Sequence, residues 1–520
     1  MELVENRALK LRTRLATAIL SGIPKSKLIG PVPDTDISEV LVYWGRDEVR
    51  ALHALGFKNT PPAPLHKYGW PGIYKPMAHQ TTTSEFLTTH DKCFLLSEMG
   101  TGKTCAAAWA ADYLMNLKEV KRVLIVCPIS IMHAAWKEDL FKSVMHRSVA
   151  IAHGTKLQRQ KVISSGAEFV IINYDGIEIV MDEIIEAKFD LIIVDEANNL
   201  KSVSTRRWKA FNKIMTALDC RLWMMTGTPA AQSPEDAYGL AKLVSPSRVP
   251  KYYTQWRDMV MQKITLYKWV PRPRARDLVF NALQPAIRFT KEQCLDLPEI
   301  MYSRRDVELT TQQLKYYQAM KANMIMQAAG EEISAVHAAA NMNKLLQISC
   351  GAVYSDNGEV VRFDASNRLN VMDEIIDESD KKTIIFAPFR HTIAMIKDHL
   401  ASRNVGTLFI HGDVAPAKRG EIIQSFQNDP DIRVIVIQPQ AASHGITLTA
   451  ASSVIWFGPT SSVDTYLQAN ARAHRNGQDT KVTVFMIQGS PAEKRIYDML
   501  ETRVDSHMSL ISMYKEILQM

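Results

Sequence analysis

The chain has no apolar run approaching the roughly 18 residues that a membrane-spanning helix needs. Its opening, Met1-Glu2-Leu3-Val4-Glu5-Asn6-Arg7, is too acidic and too interrupted to read as a secretory signal. The expectation is therefore a cytoplasmic protein with no membrane partner. Cysteine is scarce: Cys93, Cys105, Cys127, Cys220, Cys294 and Cys350 are scattered over 520 residues, never in CxxC spacing. That pattern argues against both a zinc framework and a disulfide scaffold, and leaves buried thiols in a reducing compartment. The 14 histidines show no clustered metal spacing either. No low-complexity tract and no sequence repeat stands out.

What is present is an ordinary globular composition, 46% hydrophobic and 22% charged, with a net charge of +7. At 520 residues the length favours several domains. Residues 1–70 read as an accessory region, with a basic amphipathic helix over Asn6–Leu20, a loop from Ile23 to Pro33, then a strand and a helix over Glu39–Leu55. Pro61, Pro62 and Pro64 read as a linker. Residues 71–245 alternate short apolar strands with helices, at Phe94–Ser97, Val123–Cys127, Val149–Ala152, Phe169–Asn173, Leu191–Val194 and Leu222–Thr226. Residues 301–495 repeat that rhythm, at Lys382–Ala387, Thr407–Ile410, Val434–Ile437, Val454–Phe457 and Lys481–Met486. Strands at this spacing predict two parallel α/β sheets, each with its ligand loops at the strand C-termini. The fold class expected is α/β: two RecA-like lobes with a nucleotide cleft between them, a basic helical insertion and connector over residues 246–300, and a C-terminal helix over 496–520.

Chemistry concentrates at a few of these strand ends. Ser97-Glu98-Met99-Gly100-Thr101-Gly102-Lys103-Thr104 follows an apolar strand and precedes a helix-forming Ala-rich run. Gly100 and Gly102 let successive backbone N–H groups curl around one anion, and the helix offers its positive end to the same point. Lys103 then reaches the β- and γ-phosphates of a nucleotide and the Thr104 hydroxyl its Mg²⁺. Ser97 departs from the general GxxxxGK[ST] pattern, which has Gly there. Asp195 and Glu196 end another apolar strand; a carboxylate pair placed so can hold the Mg²⁺ hydration shell through Asp195 and orient the attacking water through Glu196. Acidic pairs after a strand also serve as plain helix caps. Thr226-Gly227-Thr228-Pro229 offers hydroxyls at a third strand end, or simply a turn. Arg472 and Arg475, three apart on an expected helical stretch, share one face and can neutralise charge on the γ-phosphate.

Between Lys251 and Lys291 the basic residues Lys251, Arg257, Lys263, Lys268, Arg272, Arg274, Arg276, Arg288 and Lys291 face only Asp258 and Asp277, with Tyr252, Tyr253, Trp256, Tyr267 and Trp269 interleaved. Basic and aromatic residues mixed in this way suit phosphate contacts, the alternative being a solvated insertion packed by its aromatics.

Taken together and in order, these motifs resemble the Swi/Snf-type branch of the superfamily-two helicase-like ATPases over roughly Tyr74 to Leu500. Ser97–Thr104 resembles motif I, Val126-Cys127-Pro128 with Trp136-Lys137-Glu138 motif Ia, Asp195–Lys201 motif II and Thr226–Pro229 motif III. Ile287–Lys291 through Leu297-Pro298-Glu299, then Val307–Thr310 with Gln313 and Tyr317, is similar to the branch's lobe connector. Gln468–Gln478 is similar to its QxxxRxHRxGQ motif VI, and Pro76–Gln80 to its adenine-reading segment. Asn198, Ala471 and Ala441-Ala442-Ser443-His444-Gly445 depart from the usual pattern at positions that couple hydrolysis to movement.

The resemblance implies ATP and Mg²⁺ as cofactors and double-stranded or forked DNA as partner, with any protein partner unidentified. It implies a monomer that translocates on DNA in repair, recombination, fork remodelling or protein displacement, in a bacterial or infected-cell cytoplasm. The site residues it implies are Lys103, Asp195, Glu196, Arg472 and Arg475 for catalysis. Gln80, Gly100, Thr101, Gly102, Lys103, Thr104 and Gly445 would bind the nucleotide, and Lys251, Arg257, Arg272, Arg274, Arg276 and Thr228 the nucleic acid. A strand-separating helicase and a non-catalytic DNA-binding subunit are the rival readings.

Overall fold

A computed structural model describes residues 1–227, 230, 233–264, 269–294, 298–328, 335–354, 359–442, 446–475 and 477–502. It divides into two units, the first holding residues 1–229, 237–258 and 276–294 and the second the remainder.

The first unit begins with a four-stranded antiparallel sheet of β1 (Glu2–Val4), β2 (Ala8–Thr13), β3 (Ser26–Pro31) and β4 (Ser38–Tyr43), in the order β1-β2-β4-β3. The helix expected over Asn6–Leu20 is therefore a strand for its first half, and only Ala16–Gly22 is helical. The reason lies in the period. Leu9 and Leu11 alternate with Lys10 and Arg12, so a strand buries both leucines against Val40 and Val42 while the cations stay outside beside Glu39. The loop expected after Ile23 likewise contains β3, which pairs with β4 through an irregularity between Leu28 and Gly30. The Pro61–Pro64 stretch packs onto this sheet's end, where the Pro61 carbonyl accepts the Trp44 indole N–H at 3.2 Å and Ala63 is buried.

The unit's larger sheet contains β5 (Lys92–Leu95), β6 (Val123–Cys127), β7 (Val149–Ala152), β8 (Phe169–Asn173), β9 (Leu191–Asp195) and β10 (Arg221–Met225). These match the expected strands to within a residue or two. The basic stretch is not all helical: a hairpin of β11 (Met261–Lys263) and β12 (Trp269–Pro271) lies in sequence between the helices Tyr253–Val260 and Ala275–Ala282. After it, β13 (Ala286–Ile287) adds a parallel edge beside β5, giving the order β13-β5-β10-β9-β6-β8-β7, parallel throughout. Val-Leu-Ile-Val-Cys of β6 is buried at every position, as a strand covered on both faces must be.

In the second unit, β14 (Ile300–Asp306) lies beside a sheet whose other strands come later, after a small hairpin of β15 (Ala352–Tyr354) and β16 (Val360–Arg362). They are β17 (Lys382–Phe386), β18 (Thr407–Ile410), β19 (Val434–Ile437), β20 (Ala451–Trp456) and β21 (Val482–Gln488). The order is β14-β21-β20-β17-β19-β18, again parallel throughout. Two RecA-like parallel sheets are thus present. The buried Arg368 guanidinium donates to both carboxylate oxygens of buried Glu493 at 2.7 Å, and Glu493 also accepts the Gly489 and Ser490 N–H groups. The last helix runs from Pro491 to Thr502; residues 503–520 of the expected C-terminal helix lie outside the described residues. Among the described residues no helix is long and apolar enough to cross a membrane.

Candidate nucleotide site

In the first sheet β10 lies between β5 and β9, so the loops leaving these three strands emerge side by side although Leu95 and Met225, which end β5 and β10, are 130 residues apart in the sequence. Leu95, Met225 and Asp195 are register partners. The loop after β5 is the expected phosphate loop. Gly100 (φ 82°) and Gly102 (φ 76°) occupy the left-handed region, and a Cβ at Gly102 would collide with the Gln80 amide nitrogen. The helix Lys103–Asn116 starts directly after it. Lys103 folds back, its Nζ donating to the Ser97 carbonyl at 2.8 Å and the Glu98 carbonyl at 3.1 Å. Gln80 is buried against the loop; its Oε1 accepts the Met77 N–H at 2.9 Å and its Nε2 donates to the Thr101 carbonyl at 3.4 Å.

Ser97, the residue standing where the general pattern has Gly, has a specific partner. Its Oγ accepts the Phe289 N–H at 3.0 Å. The same connector segment continues the edge pairing: Leu96 N–H donates to the Ile287 carbonyl, Glu98 N–H to the Phe289 carbonyl, and Lys291 N–H to Glu98 Oε2 at 3.2 Å. Segment 285–291 is therefore stitched along the phosphate loop, a relation that nothing in the loop's own sequence announces.

Asp195, only 9% exposed, is the last residue of β9. Burial pushes its carboxyl pKa up, while the Lys103 charge, the Trp136 indole and the Glu196 N–H hold it down. Trp136 Nε1 donates to Asp195 Oδ2 at 2.9 Å and Glu196 N–H to Oδ1 at 3.0 Å. Trp136 sits in a stretch of π-helix, Met132–Lys137, a distortion that recurs at functional sites. Sequence reasoning named Trp136 as part of a motif but did not find its carboxylate partner; an indole N–H that must be satisfied when buried was the available signal. Tyr174 was missed altogether. It follows β8, and its hydroxyl donates to the Asp195 and Glu196 carbonyls at 2.6 and 3.0 Å. Thr226 begins the loop after β10, its N–H donating to the Leu95 carbonyl at 3.1 Å. Thr228 and Gly445 lie outside the described residues.

The arrangement can hold a triphosphate: left-handed glycines and a helix N-terminus can cradle the anion, Lys103 supplies positive charge, and Thr104 with Asp195 supplies oxygens for a cation carried by the nucleotide. Among the described residues no group of three or more His, Cys, Asp or Glu could hold a metal ion.

In the second unit the helix Val463–Asn470 ends before Arg472. The two arginines therefore do not share a helix face; they lie in the turn beyond it. Side chains of that turn hold backbone outside the helix: Gln478 Nε2 donates to the Thr449, Ala451 and Ala473 carbonyls, Arg475 to the Ile446 carbonyl at 3.2 Å, and His474 Nε2 lies 2.8 Å from the Pro298 carbonyl. Arg472 is 9% exposed. In the basic stretch Lys251, Arg272, Arg274 and Arg276 are exposed and Arg257 is half-buried. Trp256 is fully packed beside Tyr238, so part of the aromatic content there is core.

Two parallel α/β sheets, the first with a glycine-kinked anion loop two strands away from an acidic strand end, define a helicase-like protein. The chain belongs to the SNF2-related family: the SNF2-related domain matches residues 45–351, and a helicase conserved C-terminal domain follows at residues 367–477. It is 25% identical over 430 residues to the mouse chromodomain-helicase-DNA-binding protein 1-like, covering 78% of this chain and 46% of that protein. It is 24% identical over 380 residues to putative protein p41 of Acyrthosiphon pisum secondary endosymbiont phage 1, covering 69% and 79%. The chain thus spans about half the length of the mouse relative. Among solved structures, the Sulfolobus solfataricus SWI2/SNF2 ATPase core in complex with double-stranded DNA aligns over 83% of this chain and 92% of that one, with 22% identity and a TM-score of 0.42.

Proposed function

We propose that the protein is a DNA-dependent ATPase that translocates along double-stranded DNA without separating its strands. The observation that carries the nucleotide half is the convergence after β5, β10 and β9, where Lys103 is close enough to act electrostatically on buried Asp195. In this reading Gly100, Thr101 and Gly102 bind phosphate through their backbone, Lys103 neutralises it, and Thr104 and Asp195 hold the magnesium ion, which when bound offsets charge on the phosphates. Glu196 orients the attacking water and takes its proton. Arg472 and Arg475 stabilise charge as the γ-phosphate leaves.

The nucleic-acid half is supported by family membership and by the exposed cations Lys251, Arg272, Arg274 and Arg276. Phosphate contacts suffice for a motor that follows the duplex backbone. Repair, recombination, fork remodelling or displacement of bound proteins are the processes such a motor fits, with the protein acting as a monomer in the cytoplasm. The deciding experiment is steady-state ATP hydrolysis on single-stranded, duplex and forked DNA. Stimulation by duplex is expected; stimulation by single strands alone would favour a strand-separating helicase, and no hydrolysis on any DNA a non-catalytic subunit.

A further inference from the structure

The turn after β9 is built around a residue in a conformation that side chains with a Cβ rarely adopt. Glu196 has φ 54° and ψ 53°, in the left-handed region. A non-glycine residue stays there only when its surroundings over-determine it, and the surroundings here do so. The Glu196 carbonyl accepts three hydrogen bonds: from the Tyr174 hydroxyl at 3.0 Å, from the Asn199 backbone N–H at 3.1 Å and from the Asn199 side-chain amide at 3.0 Å. The Tyr174 hydroxyl also donates to the Asp195 carbonyl at 2.6 Å. Behind these, Arg207 donates to Asn199 Oδ1 at 3.4 Å and to Asp175, the neighbour of Tyr174, at 2.8 Å. Tyr174 is 4% exposed, and because both of its partners are backbone carbonyls, its hydroxyl is the donor to each.

We propose that Tyr174 is a positioning residue whose hydroxyl, with the Asn199 amide, clamps the Asp195–Glu196 turn in the left-handed form that aims the Glu196 carboxylate. The inference rests on the reading of Glu196 as the water-activating group. Left-handed backbone at residue 196 rotates the side chain away from the direction it would take at the end of an extended strand. Loss of the clamp lets the turn relax toward ordinary backbone and turns the carboxylate off its line. Nucleotide affinity is set mainly by the phosphate loop and remains.

Tyr174→Phe keeps the ring and removes only the hydroxyl. Its expected effect on duplex-stimulated hydrolysis is a fall in kcat of about tenfold, equivalent to ~1.4 kcal/mol, with KM for ATP within about twofold of wild type. In single-turnover hydrolysis, Tyr174→Phe combined with Glu196→Gln should be no slower than Glu196→Gln alone, because the hydroxyl acts through that carboxylate. Wild-type kcat in Tyr174→Phe, a raised KM with unchanged kcat, or a further tenfold loss in the double variant would each overturn the proposal. Should Tyr174→Phe fail to fold by circular dichroism, Asn199→Ala decides: lower kcat at unchanged KM supports the clamp, and wild-type kcat refutes it. Full turnover by Glu196→Gln would instead refute the role of Glu196 itself, an outcome distinct from an inactive Glu196→Gln beside a fully active Tyr174→Phe.

Discussion

Lys103 and Glu196 make separable demands on the same site. Lys103 is held by the Ser97 and Glu98 carbonyls, so an incoming triphosphate has to exchange those two acceptors for its own oxygens. Lys103→Ala should therefore weaken nucleotide binding itself, measured with a fluorescent ATP analogue at equilibrium. Glu196→Gln leaves the loop intact and removes the carboxylate proposed as the base, so binding should survive while turnover is lost; equal turnover in variant and wild type would remove Glu196 from this role. In the second unit, breaking the Arg368–Glu493 pair with Glu493→Gln leaves a buried guanidinium without its counter-charge. Losses of about 3–5 kcal/mol are typical of such a change, and denaturant unfolding followed at lobe-two tryptophan Trp456 should report it. Replacing both partners with apolar residues should cost less.

At the scale of elements, the helix Arg46–Ala54 meets the end of the helix Ala78–Thr89 through two imidazoles. The His53 and His90 rings lie 4.9 Å apart, and His90 stacks on Phe86. Burial lowers both pKa values, that of His90 to about 4. A histidine whose folded pKa is depressed contributes stability that is present above its unfolded value near 6.5 and is lost as pH falls through the folded value. For His90 alone the full difference is roughly 3 kcal/mol. The N-terminal sheet should accordingly loosen between about pH 6.5 and 4, seen as faster amide exchange in residues 8–54, and His90→Gln should flatten that dependence. The basic stretch makes a different kind of prediction. Reversing the charge of Arg272, Arg274 and Arg276 together should weaken binding to all DNA sequences alike and reduce the salt dependence, each lost phosphate contact removing a log–log slope of about 0.9. An unchanged slope would make the stretch a solvated surface.

For the whole molecule, the test of the proposed translocation is mechanical. On a duplex carrying a third strand in its major groove, ATP should displace that strand while a plain forked duplex stays annealed, followed by native gel electrophoresis. Unwinding of the fork with the third strand left in place would promote the helicase reading. Arg472→Ala and Arg475→Ala should each cut turnover, by up to about 10³-fold if the residue acts on the transition state, with little change in ATP affinity. Effects confined to DNA affinity would place that turn on the nucleic acid instead.

Most of the strands of both parallel sheets were legible because a strand buried on both faces must be a short unbroken apolar run, as in Val123–Cys127 and Val434–Ile437. The position of the glycine-bearing loop after β5 and of the acidic end of β9 could be located for a similar reason: glycines at positive φ and a lysine at a fixed offset from them are local features of the chain. Misreadings arose where helix and strand periods compete over few residues, as at Ala8–Thr13, or where side chains capture backbone, as Gln478 does beyond Asn470. By itself the sequence determined the chemistry available at each strand end. Only the tertiary structure decided the neighbours, because strand order β5-β10-β9 is set by crossover connections that no local pattern encodes. The same holds for Ser97 against Phe289, Trp136 against Asp195 and Tyr174 against Glu196. Each is a hydrogen bond between groups that burial forbids to remain unsatisfied, and which group answers which is fixed only when the sheet has formed.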